Sequence, residues 1–287
     1  MAKIIILSVG AIRYKSEGHT SQTSFLDNVI FNLQELKQCF SNHDVTTIIS
    51  TWAPKIENSI CLESGRINSF DYDLVDFDNQ IKDKIDKYFV FNQQDNTKYA
   101  LAKNNALPFT HYNLLEAVKK IVNDGIEFDF IIKTRHDNLF ILNNVDKYLD
   151  GGTYIPPLYW GDWNRFCLGK DFRTSLDIVH SLREENKWNL DFPLGVYEKH
   201  HDALNDHHFI MSKDTILKYL DISDNNYRLL INSSNSLEQY NKKFMELSGE
   251  FSYIDNSDIE EYVNRRGFIL NHTSFHWHGN YYHRYFK

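Results

Sequence analysis

The segment Lys3 to Val9 (KIIILSV), an unbroken, mostly β-branched run ending at Gly10, restricts the possible folds more than any other feature of the chain. A strand with one wet face alternates apolar and polar residues. A continuous apolar run instead fits burial on both faces, as in a parallel sheet covered by helices. After the polar stretch 10–23, Leu26, Val29, Ile30, Leu33, Leu36 and Phe40 recur at helical spacing, and Ser24 with Asp27 resembles a capping box. Val45 to Ser50 (VTTIIS) then reads as a second strand, ending at Thr51-Trp52-Ala53-Pro54. Strand, helix and strand in this order predict a parallel β-loop-α-β unit.

Further along, strands are predicted around Tyr72 to Phe77 and Tyr88 to Phe91, and a helix over Asn113 to Val122 with Gly125 as a left-handed cap. Phe128 to Lys133 (FDFIIK) reads as another buried strand, whose carboxyl end delivers Thr134-Arg135-His136-Asp137. Ligands in open α/β sheets bind outside such strand ends, which places this tetrapeptide where chemistry is done. Past Gly151-Gly152 the texture becomes irregular. Helices are predicted over Asp171 to Leu182, Ser212 to Leu220, Leu237 to Leu247 and Ser257 to Val263, the last with Ser257 and Glu260 as a capping box, and HHFIMS (His207 to Ser212) reads as a strand. No repeat or clean linker divides the chain, so 1–287 is read as one domain, with 1–150 as a nucleotide-binding half and 151–287 completing the site.

The net charge of −8 provides no basic field to hold a phosphate backbone, which argues against a nucleic-acid partner. Cys39, Cys61 and Cys167 are dispersed and odd in number, which fits a reducing cytoplasm better than a disulfide framework. Ile4 to Leu7 is far shorter than a membrane span, so any membrane contact is expected to be peripheral.

Arg135 and Asp137 pair a phosphate-binding cation with a carboxylate suited to a divalent cation or a ribose hydroxyl; the alternative is a structural ion pair. Asp206, before the HHFIMS strand, is a candidate general base, and Asp162 is its rival; either could instead cap a turn. Trp160 and Trp163, flanking Gly161-Asp162, are candidate sugar-stacking platforms, although core packing is the commoner fate of tryptophan. The histidine groups 200, 201, 207, 208 and 272, 276, 278, 283 could ligate a metal, but they show neither HExxH-type helix spacing nor C2H2 spacing, and solvated or hydrogen-bonded loop histidines are the commoner case.

The ordered landmarks ILSVGAIR with Gly10 and Arg13, STW at Ser50 to Trp52, IIKTRHD at Ile131 to Asp137 and GDW at Gly161 to Trp163 resemble the WavE-type lipopolysaccharide biosynthesis glycosyltransferases, which are GT-A-like. The resemblance covers about two thirds of the chain, from Lys3 to about Tyr219. It implies a Rossmann-like GT-A α/β domain with a mostly parallel central sheet, and transfer of a sugar from a nucleotide-sugar to a glycan or lipid-linked glycan acceptor in surface-polysaccharide synthesis. It puts Arg135 and Asp137 in the place of the family's DxD metal motif and Asp206 where many inverting members carry the base. Here the segment is RHD, without the first carboxylate. Mn or Mg dependence is therefore open at Asp137, and Arg135 is positioned to supply part of the positive charge itself. Gly10, Arg13, Trp52, Arg135 and Asp137 are expected to line one donor cleft, because the turns after parallel strands converge. The competing readings are a metal-dependent phosphoesterase or other hydrolase, and a non-catalytic carbohydrate-binding protein.

Overall fold

The computed structural model describes residues 1–10, 25–52, 74–91, 107–136, 138–156, 208–232, 249–255, 258–265 and 268–271. Strands β1 (Lys3–Val9), β2 (Asp44–Trp52), β3 (Lys87–Phe91) and β4 (Phe130–Arg135) form a parallel set in the order β3-β2-β1-β4. β1 is central to this set, and six of its seven residues are buried, as its apolar run requires. Side chains alternate across it. Ile4 and Ile6 pack toward helix α1 (Phe25–Cys39) with Leu26, Val29, Leu33 and Phe40, while Ile5, Leu7 and Val9 share the opposite core with α3 (Leu107–Asn123) and Phe209.

Beyond β4 the sheet continues through β7 (Phe209–Ser212), antiparallel to β4, then β6 (Thr153–Ile155), antiparallel to β7, and β8 (Ser252–Tyr253). Helix α4 (Lys213–Asn232) leaves β7 directly, and the Ser212 hydroxyl accepts the Thr215 N–H at 3.4 Å as its cap. A second, small antiparallel sheet has the order β10-β9-β5, from β5 (Asn138–Leu142), β9 (Ile259–Arg265) and β10 (Phe268–Asn271). This is an α/β architecture with a largely parallel central sheet.

Two local expectations are corrected. Residues 74–77, expected within a strand around Tyr72 to Phe77, instead open helix α2 (Leu74–Ile81), because a helix turns Phe77 and Ile81 into the α1-side core, where both are buried. The helix expected over Ser257 to Val263 is instead β9. Its S-x-x-E signal is local and weak, whereas residues 259–265 find strand partners on both sides. The helix expected at Asn113 begins earlier, at Leu107, and ends as predicted: Gly125 has φ +67°, and the Ile126 N–H reaches the Ile121 carbonyl at 3.1 Å. The helices expected over Asp171 to Leu182 and Leu237 to Leu247 lie outside the described residues.

Asp258 fastens the start of β9 to the segment that follows β5. Its buried carboxylate accepts hydrogen bonds from Tyr148 Oη at 2.5 Å, Asn144 Nδ2 at 2.7 Å and Lys147 Nζ at 3.0 Å, and its carbonyl accepts the Asn143 N–H at 2.7 Å. Lys147 also pairs with Asp255. The Tyr148 and Asn144 bonds, with the Lys147 charge, hold the Asp258 carboxyl below its ordinary value of 3.8. A depressed folded-state value means that this carboxylate stabilises the fold fully above the ordinary value and ceases to do so as pH falls through the lowered one. Protection of the β5 and β9 amides against exchange should therefore weaken as pH falls below 3.8, and Asp258→Asn should show weakened protection already at neutral pH. Undiminished protection in Asp258→Asn at pH 7 would remove Asp258 as the fastening point.

Candidate functional site

Each of β1, β2 and β4 turns polar toward its carboxyl end. Ser8 follows Ile4 to Leu7 in β1, Ser50 and Thr51 follow Ile48 and Ile49 in β2, and Lys133, Thr134 and Arg135 follow Phe130 to Ile132 in β4. In register, Ser8 lies beside Thr134, Val9 beside Arg135, and Val9 beside Ser50 on the other flank. The three exits are thus level with one another, which is the geometry that makes the carboxyl edge of a parallel sheet a binding site.

On the α1 side, the Ser8 hydroxyl and His136 Nδ1 are 2.7 Å apart and buried, and Asn32 Nδ2 of α1 donates to the His136 carbonyl at 3.4 Å. Gly10 closes the seat. A Cβ there would stand 3.0 Å from His136 Cδ2 and 3.2 Å from Cγ, tighter than ordinary contact, so a side chain at this position would press on the imidazole. The Gly10 N–H donates to the Ser50 carbonyl at 3.2 Å, tying the end of β1 to β2. On the α3 side, the Ser50 hydroxyl donates to Asn113 Oδ1 at 2.5 Å, while Asn113 Nδ2, fully buried, has no hydrogen-bond partner. Lys133 is buried at 5% exposure two residues before Arg135, and by strand alternation the two share a face. Burying polar groups without partners costs roughly 1–3 kcal/mol each, so their pairing at these turns makes the edge rigid.

The predicted donor residues fall as follows. Gly10, Trp52 and Arg135 stand at the ends of the adjacent strands β1, β2 and β4. Arg135 is partly exposed. Trp52 has 0% exposure, its ring packed in the core with Ile48, Phe89 and Leu114, so it forms floor and not an open platform. Arg13, Asp137, Trp160, Asp162, Trp163 and Asp206 lie outside the described residues, as do the candidate metal histidines other than His208, which is buried just before β7. Sequence reasoning assigned no role to Ser8, Asn32, Ser50 or Asn113, and included His136 only as part of the strand-end tetrapeptide. For the two serines a signal was present: each interrupts an apolar strand near its end. The asparagines gave none, because their strand partners are distant in sequence.

Among the described residues no group of three or more His, Cys, Asp or Glu side chains converges as a metal site, and the Ser8 and Ser50 hydroxyls are already engaged. Hard cations such as Mg²⁺ need several oxygen ligands. Nor is any helix among these residues long and apolar enough to cross a membrane.

No protein-family model matches the chain, and no curated protein sequence matches it. Among solved structures, the chain is similar to a nucleoside-diphosphate-sugar pyrophosphorylase from Vibrio cholerae RC9, at 9% identity over 89% of this chain and 93% of that one, with a TM-score of 0.41. It is also similar to the galactosyltransferase LgtC in complex with donor and acceptor sugar analogues, at 9% identity over 88% of this chain and 73% of that one, TM-score 0.43. A third is the inositol-1-phosphate CTP transferase from T. maritima, at 12% identity over 89% and 85%, TM-score 0.40. These likenesses are too distant to assign an activity; the strand order and pairing above define the fold.

Proposed function

We propose that the chain is a nucleotide-sugar-dependent glycosyltransferase whose donor site is the carboxyl edge of β2, β1 and β4. The observation that supports this reading most is the level, hydrogen-bonded edge itself, at which Gly10, Trp52 and Arg135 stand on adjacent strands. In the proposed reaction Asp206 takes the proton of the acceptor hydroxyl, the freed oxygen attacks the anomeric carbon, and the bond to the nucleoside diphosphate breaks. Arg135 meets the charge that develops on the departing diphosphate, and preorganised charge of this kind is the usual largest contribution to such a rate. Arg13 and Asp137 complete the donor cleft. Asp206 lies two residues before His208, so chain geometry keeps it within about 7 Å of that residue's Cα. Trp160 and Trp163 hold the acceptor, with Asp162 as the alternative base.

Asp137 is the carboxylate this segment offers to a Mn or Mg ion. A cation there would share the diphosphate charge with Arg135, and no step of the scheme depends on it. The finer reading follows the sequence resemblance: a WavE-type enzyme of lipopolysaccharide or surface-polysaccharide synthesis, working in the cytoplasm on a glycan or lipid-linked glycan acceptor. Residues 1–150 would bind the donor and 151–287 the acceptor.

Thermal stabilisation separates this function from its competitors. A ligand at ~100 times its dissociation constant adds about 2.7 kcal/mol when it binds only the folded state. The transferase predicts such a shift with one of UDP, GDP, CDP, ADP or dTDP. A shift with metal alone would favour the hydrolase, and one with glycans alone the carbohydrate-binding protein.

A further inference from the structure

We propose that His136 is the positioning residue of this site, holding the end of β4 that carries Arg135 against β1 and α1 for nucleotide binding. The inference rests on the donor-site reading above and adds a residue to which neither the sequence motifs nor that scheme gives a task.

The imidazole is where the ends of the strands and helix α1 are joined. It is 3% exposed, and its Nδ1 meets the β1 hydroxyl of Ser8 at 2.7 Å. Its ring lies against Gly10, whose N–H is bonded to β2 at Ser50, and its own carbonyl accepts from Asn32 of α1. On the far side, Asn138 opens β5 in register with Val263 of β9. Leucine could fill this volume but could not bond Ser8. Asparagine carries a polar atom at about the position of Nδ1 and can keep that bond.

The test is calorimetric titration of the full chain with the same five nucleoside diphosphates, alongside the melting temperature without ligand. His136→Leu should weaken the nucleotide that binds by at least about tenfold, because small displacements in an oriented site are costly. His136→Asn should stay within about threefold of the unaltered protein, less than half of the 1.4 kcal/mol that a tenfold change represents. Both variants should lose similar melting temperature. Should His136→Leu not fold, Ser8→Ala removes the same hydrogen bond with little change of volume and carries the same tenfold expectation. Undiminished binding in His136→Leu or in Ser8→Ala overturns the positioning role, as does equal weakening in the Asn and Leu variants. Failure of the unaltered protein to bind any of the five overturns the donor-site reading together with this one.

Discussion

Asp137→Ala should lower sugar transfer by roughly 10²-fold or more, through loss of the ribose or cation contact that orients the donor in the proposed site, while the melting temperature stays within about 2 °C. The two readouts separate because the core contribution of β4 comes from Ile131, Ile132 and their neighbours, upstream of this position. In the same variant the nucleoside diphosphate should bind more weakly, since a ribose or metal contact is removed. Full activity in Asp137→Ala would shift the burden of the donor site to Arg135 alone. Loss of fold together with activity would instead make Asp137 a structural member of the β4–β5 turn.

The second large effect concerns the proton. Asp206→Asn should reduce turnover by roughly 10²-fold or more and leave donor affinity nearly unchanged, because a general base acts in the transition state and not on the bound donor. Asp162→Asn, measured in parallel, should change turnover by less than about tenfold. The reverse order of effects would assign the base to Asp162 and leave Asp206 as a turn residue ahead of β7. His208 offers no ready substitute at the surface, since it is 1% exposed.

How far the sequence was legible depended on whether a signal was local or long-range. The continuous apolar runs of β1, β2 and β4 announced strands buried on both faces, and those strands are neighbours in the sheet. The periodic helices α1 and α3 and the Gly125 cap were equally readable, because spacing and left-handed geometry are properties of a few consecutive residues. The strands' polar ends could be recognised as a candidate site from topology alone.

What local signals could not rank was settled by packing. Residues 74–81 became a helix because Phe77 and Ile81 could both reach the α1-side core that way, and 259–265 became a strand because β5 and β10 were available as partners. Trp52 illustrates the same division within the site. Its place at a strand end was visible in sequence, but only the tertiary structure buried its ring beneath α3. By itself the sequence determined which segments must be buried, and hence a layered α/β fold with strand ends gathered at one edge. The tertiary structure alone decided that Ser8 meets His136 across 128 positions and Ser50 meets Asn113 across 63. The reason is physical: a buried hydroxyl must find a partner, yet nothing in its neighbours along the chain specifies which distant group packing will bring to it.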